Sequence, residues 1–493
     1  MEQKKSFFQV FLFCLLLLGF LFLCSQKINL AASDLGRHLK NGEVILKEGL
    51  KSRVIFTNFY SFTYPDNFFW NHHWGSGVIF FLIKKNLGFS GLSFFYLLVS
   101  GFTFFLFFQI AKEKGSFRSA FFSGLFLLPL LTWRSEVRPE IFSYFFSGVF
   151  LFLLCSPIRF KKYFWVLPLV EVFWVNIHVY FFLGFVLVGI FLVEAILEKD
   201  RILAEKLGLV LIFCLFASFL NPLGIKGAFY PLRIFENYGY LVLENQSIFY
   251  LDKLIDYPAG IFFKLSLGVV VLSFLLRWFL GKDRKFVWSE IFLGVFVGFL
   301  AWRAVRNFSL FSFVSWFLFS SNLIFLHAKD KGNSSGEFFF CFLGGMIIFM
   351  ALFFLKPSFW IYKGKNFGLG LVEGGEKAGN FFKEKKISGP VFNDYDIGSY
   401  LIYYLYPDQK VFVDNRPEAY PRNFFSEIYI PMQEDEEIWK KMEKKYNFSS
   451  IFFYKHDLTP WAKSFLSRRL KDVDWKVVYA DEYAVILVRN EKN

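Results

Sequence analysis

The sequence predicts a polytopic α-helical membrane protein that ends in a soluble α/β domain. Three observations carry this. The 493 residues are 55% hydrophobic, 76 are phenylalanine, and the mean hydropathy is +0.42, a composition that soluble chains of this length seldom show. Apolar runs near spanning length recur through residues 1–356. Beyond residue 381 charged residues become frequent, and short apolar strands alternate with helical stretches.

The runs lie near 7–25, 91–111, 119–133, 139–156, 163–177, 178–196, 207–221, 261–280, 287–302, 307–326 and 337–355. They amount to about eleven transmembrane helices by the twenty-residue criterion, with the shorter 77–87 segment interfacial. The first run follows MEQKK and could be a signal peptide, but its length near twenty residues and the lack of a small-x-small cleavage site after it favour an uncleaved first span. Placing MEQKK in the cytoplasm puts KEKGSFR (112–118), RFKK (159–162), EKDRILAEK (198–206), GKDRK (281–285) and HAKDKG (327–332) there as well, as the positive-inside rule asks. The net charge of +14 is thereby explained by topology and contact with anionic membrane lipids, and nucleic acid is not an expected partner. The outer side receives a first loop at 26–90, a second large loop at 222–260, and everything after 356. Residues 357–380, with KGKNFGLGLVEGGEKAGN at 363–380, read as a linker. In the outer domain, 381–493, strands are expected at 410–414, 449–454, 475–481 and 483–489, and helices at 398–406, 423–430, 434–446 and 460–470. Cys14, Cys24, Cys155, Cys214 and Cys341 sit in apolar segments without paired spacing and read as buried thiols.

Polar residues collect on the outer side. Asp34, Arg37, His38 and Glu43 follow the first span; His72 and His73 precede Trp74; Arg134, Glu136, Arg138 and Glu140 crowd RSEVRPE. Asn176 and His178 interrupt FWVNIHVYF, and Arg303, Arg306 and Asn307 lie in WRAVRNF. Short outer loops ordinarily avoid arginine, yet two of these carry two each. Charge at membrane depth is costly unless it is paired or faces a wet cavity, so the cluster reads as a functional site. Plainer readings stand beside this. Asp34 and His38 fit an i,i+4 surface pair. His72 and His73 fit headgroup-level residues. A divalent metal held by histidines and Asp34 is conceivable but not favoured, because no HxxxH or HxH spacing supports it. Arg303 and Arg306, three apart on one helical face, suit bidentate phosphate binding, or else snorkel to the headgroups.

The first-loop stretch DLGRHLKNGEVIL (34–46) resembles that of the C-type superfamily of membrane glycosyltransferases, which includes protein mannosyltransferases and lipid-A aminoarabinose transferases. Further matches follow in order: SFTYPDNFFWNHHW (61–74), RPEIFSYFF (138–146), WVNIHVYFFLG (174–184), NPLGIKGAFYP (221–231), RAVRNFSLF (303–311) and VFNDYDIGSYLIYYLYPDQKVFVDNRPEAY (391–420). Arg37, where the group often has an aromatic residue, and His73, where an acid is common, depart from the pattern. The resemblance implies a multispanning enzyme of a bacterial cytoplasmic membrane, with Asp34 as the catalytic carboxylate and a sugar on polyprenyl phosphate as donor.

On that reading Asp34 is the expected general base and His38 its alternate. Arg303, Arg306 and Arg138 are the expected phosphate-binding groups. His72, His73, Asn176, His178 and Glu140 are expected to position sugar or acceptor. In the tail, Asp394, Asp414, Arg416 and Glu418 follow strands and either bind acceptor or serve turns. The acceptor is left open among lipid, glycan and protein, and no cofactor is expected. Two other classes stay open: a transporter of lipid-linked glycans, for which Glu171 and Lys264 are the few deep polar residues, and a membrane-anchored structural or sensory protein.

Overall fold

The computed structural model describes residues 2–236, 238–280, 287–323 and 334–490. Two of the basic loops read as cytoplasmic, 281–285 and 327–332, lie outside the described residues. The first part of the chain is helical: α1 (Glu2–Cys24), α2 (Leu35–Glu48), α3 (Trp74–Lys114), α4 (Phe117–Leu131), α5 (Glu140–Leu154), α6 (Pro157–Tyr163), α7 (Val166–Ile177), α8 (Phe182–Leu197) and α9 (Arg201–Ser218). Two single turns, α10 (Ile225–Ala228) and α11 (Ile248–Leu251), lie within 222–260, the segment read from sequence as the second outer loop. Then come α12 (Gly260–Leu280), α13 (Trp288–Arg303), α14 (Phe308–Asn322), α15 (Ser334–Leu355) and α16 (Pro357–Lys365).

Each apolar run of the sequence is thus helical over its described residues, 324–326 of the 307–326 run lying outside them, but eleven separate spans are not established. Among the described residues four helices are long and apolar enough to cross a membrane alone: Ser6–Cys24, Trp74–Lys114, Val179–Leu197 and Gly260–Leu280. Two sharply bent pairs, Glu140–Leu154 with Pro157–Tyr163 and Phe340–Leu355 with Pro357–Lys365, raise the number to six. The others stop early. The capping box of Ser116 and Ser119 opens α4, and after 15 residues Thr132 turns its hydroxyl back onto the Leu128 carbonyl. A helix of that length reaches about 22 Å, short of the roughly 30 Å hydrocarbon core. The 77–87 segment, expected as a separate interfacial piece, belongs to the 41-residue α3, bent at Gly88 where φ is +69°.

α14 is the centre of the bundle. Its serines 309, 312, 315, 320 and 321 are buried, and small residues let helices approach closely. Trp316 packs over Gly124 of α4 and donates its indole N–H to the Ala120 carbonyl at 2.8 Å. α2 lies against the first turns of α3, where a Cβ on Gly42 would stand 2.2 Å from the Gly77 carbonyl oxygen.

The tail carries α17 (Lys377–Glu384), β1 (Val391–Asn393), α18 (Gly398–Leu405), α19 (Arg422–Phe424), α20 (Pro431–Glu434), α21 (Glu436–Tyr446), β2 (Ser450–Tyr454), α22 (Pro460–Arg469), β3 (Trp475–Ala480) and β4 (Ala484–Arg489). The sheet order is β1-β2-β4-β3, with β1 and β2 parallel and the other pairs antiparallel. Residues 410–414, expected as a strand, do not join it. Asn393 bonds both the Phe412 N–H (3.0 Å) and the Val413 carbonyl (2.7 Å), taking the backbone groups a ladder would use. Val411 forms an isolated bridge with Ser61 of the first loop instead. Nor is 357–380 an open linker. Its α16 is followed by backbone bonds from Lys27 N to Asn366 O (2.6 Å), Ile28 N to Gly370 O (2.7 Å) and Val372 N to Ile28 O (3.0 Å). The tail also leans on α2: Ser399 Oγ accepts the Arg37 N–H at 2.9 Å.

Candidate functional site

Asp34 stands at the N-cap of α2, yet its side chain makes no capping bond. An N-cap aspartate ordinarily accepts from the first turn's free N–H groups. Here Oδ2 lies 3.2 Å from His38 Nε2 and 3.8 Å from the Arg37 guanidinium, while Oδ1 is buried with no hydrogen-bond partner among the described residues. Burial alone would raise the Asp34 carboxyl; Arg138, His38 and Arg37 outweigh it and hold the group well below the usual carboxylate range. Burial, then Arg37, lowers His38, so near neutrality its ring is uncharged. A carboxylate only accepts, so the His38 proton sits on Nε2, and Nδ1 is left with a lone pair and no partner among the described residues.

Three further histidines join this pair. The His38 and His73 ring centroids are 5.3 Å apart, His72 and His73 4.1 Å, and His73 and His178 4.9 Å. Burial lowers His72 to about 3, with His178 adding to it, and takes His73 well below its ordinary value. His178 is oriented by a relay: Trp174 Nε1 donates to Ser143 Oγ (2.7 Å), which is bonded to His178 Nδ1 (2.7 Å). Tyr230, from the second outer loop, packs 5.1 Å from His72.

The arginines form an adjoining network. Arg134 bonds Glu140 (2.7 Å) and Glu244 (2.8 Å); Arg138 reaches Glu136 (2.8 Å) and Glu244 (3.2 Å); Arg306 reaches Glu140 (3.0 Å) and Asn245 (2.9 Å). Burial opposes ionisation of Glu244, but Arg134, Arg138 and Arg306 bring it down to about 2. Buried Lys363 braces the arginine turn from below, bonding Ser135 Oγ at 2.7 Å and the Trp133 carbonyl at 3.3 Å.

Several sequence expectations change here. Arg303 and Arg306 do not share a helical face: α13 ends at Arg303, and Ala304 is extended with φ −152° and ψ 126°. Arg306 therefore turns in to Glu140, while Arg303 stays exposed on the wall of a groove between α12 and α13. Asn176 is used up by the fold, accepting from Trp74 Nε1 (3.1 Å) and donating to the Val172 and Leu220 carbonyls (2.8 Å each). Glu140 serves as counter-ion to two arginines. Asp414 and Arg416 form a buried bidentate pair (2.7 and 2.6 Å), with Arg416 also bonding Asn58 of the first loop (2.9 Å) and covering Phe69. Asp394 accepts the Tyr454 N–H at 2.7 Å. Glu418 is half-buried; burial raises its carboxyl, with Arg37 and Arg416 opposing. Glu244 and Tyr230 were missed, because nothing in the composition of 222–260 marks them; only their folding back onto 72 and 134–140 does.

The groove beside Arg303 holds about 800 Å³ between α12 and α13. Val270, Phe274, Gly294 and Gly298 line it, with Trp302 and Arg303 at the α13 C-terminus. The Arg277–Glu290 pair (2.7 Å) lines its other end.

Comparison with solved structures places this architecture. The archaeal oligosaccharyltransferase AglB from Archaeoglobus fulgidus, in complex with an inhibitory peptide and a dolichol-phosphate, matches 99% of this chain over 75% of its own, with TM-score 0.65 and 11% identity. ArnT from Cupriavidus metallidurans bound to undecaprenyl phosphate matches 97% of each chain, with TM-score 0.52 and 12% identity. Its apo state matches the same shares with TM-score 0.56. No family model matches the sequence, and no curated protein matches it. The chain shares the fold of these structures, a multi-pass helical body with a mixed α/β tail, the fold its ordered motifs imply.

Proposed function

We propose that this chain is an inverting glycosyltransferase that moves a sugar from polyprenyl phosphate to an acceptor hydroxyl at the outer face of a bacterial cytoplasmic membrane. On this reading residues 1–356 form the catalytic body, the N-terminus is cytoplasmic, and the tail lies outside. The observation that carries the proposal is the Asp34 carboxylate, ionised and half-buried, with its buried Oδ1 unpartnered among neutral histidines and beside the arginine turn. A buried acceptor atom left open is costly unless a ligand meets it.

The chemistry follows from the positions. The donor's lipid would lie in the groove between α12 and α13, with Arg303 at its mouth. Its phosphate would meet Arg138 and Arg306, whose fixed charge gains effect as water is excluded. The acceptor O–H would donate to Asp34 Oδ1. As the acceptor oxygen bonds to the anomeric carbon, the carbon–oxygen bond to phosphate breaks on the opposite face and the configuration inverts. The proton passes to Asp34, and the electron pair leaves on polyprenyl phosphate. So acidic an aspartic acid is a weak base in the ground state; it removes the proton late, when the oxygen already shares its electrons with carbon. His38 holds the carboxylate in place.

Reconstituted protein supplied with polyprenyl-phosphate sugars tests this. Wild type should consume donor, and Asp34→Asn should lose about 10²–10⁴-fold in kcat, the usual worth of a positioned acid–base group, with its Tm preserved. Donor bound tightly by wild type but never consumed would replace transfer with transport. Equal turnover by both proteins would remove Asp34 from the chemistry.

A further inference from the structure

Three carboxylates of the tail form a second cluster. One oxygen from each of Asp394, Asp396 and Asp457 lies within 4.8 Å of the others. Asp394 and Asp396 follow β1 and Asp457 follows β2, so all three sit beyond the carboxyl ends of adjacent parallel strands, where open sheets present ligands. Among the described residues no lysine or arginine pairs with any of them. Asp394 accepts the Tyr454 and Ile397 N–H groups, and Asp457 Oδ1 accepts the Thr459 N–H at 2.8 Å. Asp396 is half-buried, with no hydrogen bond to the other described residues. Independently of the clustering, Asp457 Oδ2 is buried without a partner among the described residues, in a side chain only 8% exposed. An anionic oxygen so placed lacks the charge that would compensate its desolvation.

We propose that Asp394, Asp396 and Asp457 bind a divalent cation, calcium in preference to magnesium. An all-oxygen ligand set selects hard cations. Calcium accepts many oxygens in a flexible geometry and suits a set of carboxylates, whereas magnesium demands a near-ideal octahedron and keeps several of its waters. The ion has a structural consequence. Tyr395, between two of the ligands, stacks on Tyr240 of the second outer loop with centroids 4.1 Å apart. Tyr240 is also packed by Phe425 at 4.9 Å. The same loop carries Tyr230 and Glu244 to the Asp34 side. Calcium at the three aspartates would therefore stiffen the tail surface on which that loop docks. The inference stands on tail geometry and does not depend on the transfer reading.

Terbium luminescence on the chelator-stripped full-length protein in detergent tests it, since Tyr240, Tyr395 and Trp461 can sensitise a lanthanide held there. Wild type should give saturable emission that calcium displaces, and D396N should bind at least about tenfold more weakly. Asp396 is the residue to change because it bonds nothing else; with one repelling carboxylate fewer, the metal-free Tm should hold or rise. Absence of saturable emission, or equal emission from D396N, would overturn the proposal. Wild type alone supplies a second readout: calcium should raise its Tm more than equimolar magnesium, and no calcium-dependent rise would overturn the proposal as well.

Discussion

Asp34 departs most from what its position asks, an N-cap residue that leaves the helix end uncapped and turns to a histidine. Its neighbours make a pH prediction. His72 has a folded-state pKa of about 3 against an ordinary 6.5. The folded value is the depressed one, so as pH falls below about 6.5 the unfolded chain takes up the proton first and stability is lost progressively toward pH 3. Near pH 5 one such histidine costs on the order of 2 kcal/mol. Tm should therefore fall between pH 7 and pH 5, and fall less in His72→Gln; identical falls would show that His72 is not held neutral by burial. The sequence marks these histidines as outer polar groups, but their meeting is tertiary and has no spacing signature. The separation of Arg303 from Arg306 was equally hidden, since neither Gly nor Pro announces the extended residue at Ala304.

Among elements, periodicity and apolar length located each helix but not its relation to the bilayer. A 15-residue run ended by a threonine hydroxyl looks like a span in hydropathy and is too short to be one alone. The strand expected at 410–414 failed because an asparagine two elements earlier claims its backbone. The groove between α12 and α13 exists because glycines face it: a methyl added to Gly294 would stand 3.4 Å from the Phe274 ring. Gly294→Phe should fill it, raising KM for long-chain polyprenyl donors at least about tenfold while sparing water-soluble short-chain analogues. Equal effects on both, measured by steady-state kinetics, would place the lipid elsewhere.

For the whole molecule, the break at 356–381 is plain in composition, but the docking of tail on first loop is not, because its bonds join residues hundreds of positions apart. The Arg416–Asp414 pair and its bond to Asn58 are the deepest of these. Arg416→Met would leave Asp414 buried and unpaired, a change worth about 3–5 kcal/mol. The expected result is faster hydrogen exchange in both 58–70 and 410–420, with the bundle unaffected; protection unchanged in 58–70 would mean the pair serves the tail alone.

The seam between residues 25–28 and 366–372 sets an order of manufacture. Ser25 emerges early, but Gly368, whose carbonyl it bonds, lies 343 residues later. At translation rates of about 5–20 residues per second that is a wait of about 20–70 s. During it, α2 and its aspartate are without the tail that backs them. A ribosome that stops before residue 366 leaves a helical body whose α2 face was never closed.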